Sequence, residues 1–274
     1  MSGHLAPSAT RRALLGGALA SLLPPGAAAT PMTRRIPSSG ETLPVVGLGS
    51  WITFNVGNDA AAREACVEVV RAFFAAGGRM IDSSPMYGSS QPTIGHALAQ
   101  IGRPASLFSA EKVWVGDGAR GAAQIEASRA YWGVRRFDLM QVHNLLAWQQ
   151  HLPQLFEMKA AGRLRYVGIS TSEGRRHAEI EQVMRTQPID FVQISYNLLD
   201  REVEQRILPL AMERGIAVIV NRPFREGALI RRKLTFVPEP GDRCFAWIFV
   251  PVARAAPAAR GAAVLCLHQT TKPG

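Results

Sequence analysis

Residues 137–143 read FDLMQVH and residues 166–170 read YVGIS, and an amphipathic stretch, 149–161, runs between them to Gly162. Both short runs are apolar along most of their length, as expected of parallel strands buried on two faces. The intervening stretch has the length of a helix, and Gly162 stands where a helix C-cap is expected. A strand, a helix and a second strand in this order form one parallel unit.

Outward from this unit the pattern repeats. Further strand candidates are Val45–Gly49, Arg79–Asp82, Leu107–Lys112, Phe191–Tyr196 and Ala217–Asn221. Helix candidates fall at 59–76, 92–101, 120–132, 175–186 and 202–214. The first places Ala62, Cys66, Val69, Val70, Phe73 and Phe74 at helical spacing and ends at Gly77-Gly78. Seven strand–helix units in about 190 residues predict an α/β fold of the (β/α)₈ TIM-barrel type rather than an open sheet. Arg34–Leu43, with Ser38-Ser39-Gly40 between two short runs, suits a hairpin closing the barrel bottom. Residues 31–233 are the expected barrel.

After that the character changes. Residues 234–274 form an atypical C-terminal segment in which Pro, Ala and Arg dominate 234–263. A candidate eighth strand lies near 263–268, and seven residues after Leu267 leave no room for a closing helix. The last βα unit is therefore expected to be atypical or incomplete.

Residues 1–30 stand apart from the fold. Arg11-Arg12 precede an apolar run, Ala13–Leu23, and then Ala27-Ala28-Ala29. The run is too short for a stable membrane span, and small residues follow it, so a cleaved twin-arginine (Tat) export signal and a periplasmic destination are the expectation.

The chain carries 31 basic and 21 acidic residues, a formal charge of +10. Much of the excess lies at the ends, and no basic stripe interleaved with aromatics crosses the middle, so nucleic acid is not an expected partner. Cys66, Cys244 and Cys266 have neither disulfide nor zinc spacing. A metal-dependent hydrolase would need several His and acidic residues at strand ends, and Asp82 and His143 alone qualify, so no metal is expected.

Four polar residues sit at or just beyond strand C-terminal ends: Asp82, Tyr87 in the loop that follows, Lys112 and His143. That face of a (β/α)₈ barrel holds the active site. Together they suit reduction of a carbonyl, which needs hydride on carbon and a proton on oxygen. A tyrosine hydroxyl donates the proton, and a neighbouring lysine is expected to lower its pKa from about 10. A buried aspartate keeps the lysine charged and aimed, and a histidine orients the carbonyl oxygen or shares the proton. Each residue also has a plainer reading, as a loop acid, a surface aromatic, a solvated strand end and a rim histidine.

The motifs IDSSPMYG (81–88), SAEKV (109–113), DLMQVHN (138–144), GIS (168–170), QISYN (193–197) and NRPF (221–224) before Gly227 resemble those of the aldo-keto reductases over about 42–232. The resemblance implies a nicotinamide cofactor, usually NADPH with NADH as the other choice, bound without a Rossmann fold. No GxGxxG follows a strand here. It implies Tyr87 as proton donor, with Lys112, Asp82 and His143 as its partners. It also implies Ser170 and Gln193 as the pair that bonds the nicotinamide carboxamide. Thr171 stands where many members carry asparagine, and Asn221 where many carry a tyrosine stacked on the nicotinamide ring. Phe224, Gly227 and Leu229 match the loop over the pyrophosphate, and Thr270-Thr271-Lys272-Pro273 matches the start of the adenosine-phosphate site. The matching arginine and last helix have no counterpart.

The function so implied is NAD(P)H-dependent reduction of a small aldehyde or ketone by a monomer. The alternatives are a truncated, catalytically impaired relative and a nucleotide-binding barrel subunit. Trp51, Trp114 and Trp148 are candidates for lining an apolar substrate pocket.

Overall fold

The structure is a computed structural model that describes residues 30–231 and 264–268. The expected export signal therefore lies outside the described residues, as do most of the 234–274 segment and Lys272.

A short antiparallel hairpin comes first, β1 (Thr33–Arg35) with β2 (Thr42–Pro44). Eight parallel strands follow: β3 (Val46–Gly49), β4 (Met80–Asp82), β5 (Phe108–Val113), β6 (Phe137–His143), β7 (Leu164–Ser170), β8 (Phe191–Ser195), β9 (Ala217–Asn221) and β10 (Val264–His268). They close into a barrel in chain order, with β10 paired to β9 on one side and β3 on the other. Helices α1 (Ala60–Ala75), α2 (Ser90–Gln100), α3 (Gly121–Trp132), α4 (Trp148–Ala160), α5 (His177–Thr186) and α6 (Ile207–Arg214) alternate with strands β3 to β9, and α7 (Ala228–Arg231) follows β9. Among the described residues no helix is long and apolar enough to cross a membrane.

The period-two alternation of a strand sorts the core into two layers. Outward-facing Ile81, Val113, Met140, Val142, Val167, Ile169, Val192, Ile194, Val218 and Val220 pack with the helices. Inward-facing Met80, Phe108, Ala110, Leu139, Tyr166, Phe191, Ala217 and Ile219 fill the lower barrel with Ile36 and Leu43 from the hairpin. The Tyr166 hydroxyl donates to Ser39 Oγ at 2.7 Å, and Arg165 pairs with both Glu41 and Asp138, so the hairpin is tied to the barrel floor. Gly168 faces inward where a Cβ would lie 2.7 Å from the Phe191 carbonyl, a spacing only glycine permits.

Two details differ from the expectation. The 202–214 stretch is a short 3₁₀ turn, Glu202–Glu204, followed by α6 from Ile207. Pro209 explains the split: its ring would clash with the carbonyl four residues back in a longer helix, and it is tolerated in a first turn. In α1 the buried stripe is Cys66, Val67 and Val70, and Val69 is 39% exposed. Val69 lies about 100° around the helix from Val70, off the buried face.

Candidate active site

The same alternation places the polar residues. Going up the barrel, β4 presents Met80 and then Asp82, and β5 presents Phe108, Ala110 and then Lys112. On β6 the order is Leu139, Gln141, His143; on β7, Tyr166, Gly168, Ser170; on β8, Phe191 and Gln193; on β9, Ala217, Ile219, Asn221. Strand register brings these tops level: Lys112 pairs with Gln141, His143 with Ser170, and Ser170 with Gln193. Each inward row therefore begins apolar at the floor and ends polar at the C-terminal rim.

A cavity of about 110 Å³ opens at that rim. Its lining includes Trp51, Asp82, Tyr87, His143, Ser170, Gln193 and Asn221. Trp114 and Trp148 do not line it. Trp148 is instead buried at the start of α4 with its indole N–H on Glu179 at 2.8 Å, and the Trp114 backbone pairs with the Gln124 side chain. Phe224, Gly227 and Leu229 sit beyond β9, where Gly227 N–H and Leu229 N–H both donate to the Phe224 carbonyl at 3.0 and 3.3 Å. Gly227 takes φ +82°, a left-handed turn that favours glycine.

Below the cavity, Lys112 Nζ donates to Asp82 Oδ2 at 2.6 Å and to the Ser83 carbonyl at 2.8 Å. Gln141 Nε2 donates to Asp82 Oδ1 at 3.3 Å. The two charged side chains are 0% and 4% exposed. Burial alone would push the ammonium down, but the Asp82 carboxylate raises it above the ordinary lysine value; burial also pushes the Asp82 carboxyl up, against the pull of Lys112, and the 2.6 Å contact joins the two. Lys112 Nζ lies 5.2 Å from the centre of the Tyr87 ring, and the His143 ring meets that ring edge-on at 5.8 Å.

The Tyr87 hydroxyl is pushed up to about 12, chiefly by burial, which outweighs the pull of Lys112. This corrects the expectation that the lysine dominates. Burial holds the His143 imidazole down to about 3, with Lys112 adding to the effect. At neutral pH the rim therefore carries a neutral phenol and a neutral imidazole above a charged pair.

Several buried polar atoms have no hydrogen-bond partner among the described residues, including Ser170 Oγ, Gln193 Nε2 and His143 Nδ1. Since buried polar groups are nearly always satisfied, three such atoms on residues lining one cavity mark a place built for a polar ligand. An amide-bearing ring system is a chemical fit: Ser170 Oγ and Gln193 Nε2 offer it an acceptor or donor and a donor. Asn221 differs. Its Oδ1 accepts from Ser195 Oγ at 2.6 Å and its Nδ2 donates to the Thr171 carbonyl at 2.8 Å, so its amide ties three strand ends together.

Sequence reasoning passed over Ser83, Gln141 and Glu111. Gln141 was detectable as an amide between the apolar Met140 and Val142, one pleat below His143. Glu111 was detectable as a carboxylate in a strand expected to be buried on both faces.

Because the unfolded chain takes up a proton at a histidine near pH 6.5 and native His143 does not, the native state should lose stability as pH falls below about 6.5. The direct check is the His143 ring C2 proton resonance, assigned by its loss in His143→Asn. It should hold still between pH 5 and 8. A midpoint near 6.5 would mean that the ring is solvated and not held neutral by burial.

The Aldo/keto reductase family matches residues 45–241. A methylglyoxal reductase of Escherichia coli is 26% identical over 206 residues, covering 73% of this chain and 72% of that protein. An NADH-specific methylglyoxal reductase of the same organism is 26% identical over 232 residues, covering 72% and 69%. The crystal structure of an aldo/keto reductase from Klebsiella pneumoniae in complex with NADP and acetate superposes with a TM-score of 0.62 at 22% identity, over 74% of this chain and 71% of that one, and is a likeness of fold. With the family match spanning most of the sequence and the barrel to accommodate it, the chain belongs to the aldo/keto reductase family.

Proposed function

We propose that this protein reduces a small aldehyde or ketone to an alcohol with NADPH or NADH, Tyr87 giving the proton. The observation that carries the reading is the neutral Tyr87 phenol standing over the buried Lys112–Asp82 pair at the rim of a cavity. Family membership supports the reaction class, and the relatives divide on the cofactor, one being NADH-specific and one holding NADP.

The cofactor supplies the hydride that the carbonyl carbon accepts. Ser170 Oγ and Gln193 Nε2 are the groups that would hold its carboxamide, which gives their orphaned atoms partners. Asn221, bonded at both ends, holds the rim together instead of offering an aromatic face. Lys272, the candidate partner for an adenosine phosphate, lies outside the described residues.

His143 is neutral and directs a ring nitrogen at the carbonyl oxygen, which places the carbon for attack. As charge grows on that oxygen, Tyr87 donates its proton to it, because an alkoxide is a far stronger base than a phenolate. The new phenolate then faces the Lys112 ammonium, which Asp82 and the Ser83 carbonyl hold in place. Water reprotonates Tyr87. The raised phenol value keeps the proton on Tyr87 across the physiological range, so the acid is loaded at every turnover.

The same reading includes twin-arginine export, which lets the barrel fold and take up its cofactor before leaving the cytoplasm. Changing Arg11 and Arg12 to lysine should hold the protein in the cytoplasm, and equal periplasmic yield of parent and variant would exclude that route. The proton-donor role is tested by Tyr87→Phe. It should bind cofactor as the parent does and turn over a small aldehyde at least about a hundredfold more slowly, the usual scale for losing a general acid. Parental turnover in that variant would remove Tyr87 from the mechanism.

A further inference from the structure

Glu111 stands one residue before Lys112 and points the opposite way, out of the barrel. It is fully buried between β5 and helices α2 and α3. Its carboxylate accepts three N–H bonds: from Gln91 Nε2 of α2 at 2.9 Å, from Trp132 Nε1 of α3 at 2.8 Å, and from the backbone N–H of Lys112 itself at 2.8 Å. Gln91 Nε2 also donates to Ser128 Oγ of α3 at 2.7 Å. Gln91, Ser128 and Trp132 are each no more than 5% exposed. A buried carboxylate is tolerated only when fully bonded, and an apolar side chain here would leave these buried N–H donors without an acceptor. The cluster is out of reach of the cavity, so it touches no substrate.

We propose that Glu111 is a positioning residue for Lys112: its carboxylate clamps the end of β5 to two helices and to the Lys112 backbone, and adds a second negative charge near the ammonium from the opposite face of the strand. This rests on the proposed carbonyl reduction for its consequence in turnover, though not for the clamp itself.

The donors explain the direction of the effect. Trp132 Nε1 and the Lys112 backbone N–H can only donate. A protonated Glu111 would put its own O–H among donors and surrender an acceptor site, so the clamp exists in the charged form. Gln91 from α2 and Trp132 from α3 bond the Glu111 carboxylate, Ser128 from α3 accepts from Gln91, and Lys112 of its own strand and Asp82 of β4 act on it by charge from the other face of the sheet. Of these, Lys112 and Asp82 carry charge. Burial pushes Glu111 up to about 7, against the pull of the Gln91 and Lys112 N–H bonds and of the Lys112 ammonium. The clamp therefore tightens as pH rises through neutrality and loosens below it.

The test follows the Trp132 indole N–H resonance in the ¹⁵N-labelled full chain, assigned by Trp132→Phe, between pH 5.5 and 8.5. The parent should show one inflection near pH 7, and Glu111→Gln should show none. Lys112→Met should move the inflection up by at least about half a unit, because linkage makes the coupling between the two groups mutual. Gln91→Met keeps the charge, withdraws one donor, and should also move it up, which preserves the test if Glu111→Gln does not fold.

In turnover, the parent's kcat should fall with a single proton below about pH 7 while KM for the cofactor stays constant. Glu111→Gln should sit at least about tenfold lower, without that inflection. An indole resonance indifferent to pH, an inflection unmoved by Lys112→Met, or parental kcat and pH profile in Glu111→Gln would each overturn the proposal. Absence of any carbonyl turnover in the parent would count against the proposed reaction alone, leaving the resonance measurements to decide the clamp.

Discussion

The constraint on which the site depends is the Lys112–Asp82 pair, closed at 2.6 Å with both side chains almost wholly out of water. Losing one member of such a pair typically costs about 3–5 kcal/mol, because the other charge is left buried alone. The barrel makes the pair tolerable by surrounding it with fixed dipoles. The Ser83 carbonyl accepts a second hydrogen bond from the ammonium and Gln141 donates to the carboxylate. Strand pairing sets these groups to the right height, since β4, β5 and β6 are locked in register through Asp82–Ala110 and Lys112–Gln141.

That pair also organises what stands above it. The Lys112 ammonium is a fixed positive charge beside Tyr87 and near His143. It helps to keep the imidazole neutral, and in the proposed reaction it would offer the phenolate a partner. Burial nonetheless decides the resting state of the tyrosine. Desolvation penalises the phenolate more than one lysine repays, and that lysine is already shared with Asp82. In the proposed reaction a phenol so held serves as a loaded acid, not an activated base, which suits the direction of carbonyl reduction.

Much of this was legible in the sequence because strand alternation is a strict period. Once FDLMQVH is a strand with its C-terminal end at the rim, Leu139, Gln141 and His143 must share the interior, and the same logic lifts Asp82, Lys112, Ser170 and Asn221 to one level. Pro209 could have warned of the broken α6, since a proline is best accommodated in a first turn, although α4 does run through Pro153. The balance of forces on Tyr87 was not legible: the neighbour was readable, but the depth of burial is a property of the closed barrel. Nor was the company kept by Glu111. Gln91 and Trp132 reach it from 20 and 21 residues away in the chain, with Ser128 bonded to Gln91, and only the packing of α2 and α3 on β5 joins them. Asn221 is a third case, for the residue was noticed by comparison with an expected aromatic, while its actual bonds to Ser195 and Thr171 appear only in the folded rim.

On the proposed reading this rim joins a nicotinamide cofactor to a carbonyl and completes the reduction on the carbon. The most direct measurement uses the full chain with a small aldehyde and a cofactor carrying deuterium at the transferable position of the nicotinamide, as NADPH and as NADH in separate reactions. Mass spectrometry of the product then reads the label. An alcohol with one deuterium on the former carbonyl carbon is expected from at least one of the two cofactors. Unlabelled aldehyde recovered from both, under conditions where either cofactor is shown to bind, would contradict it.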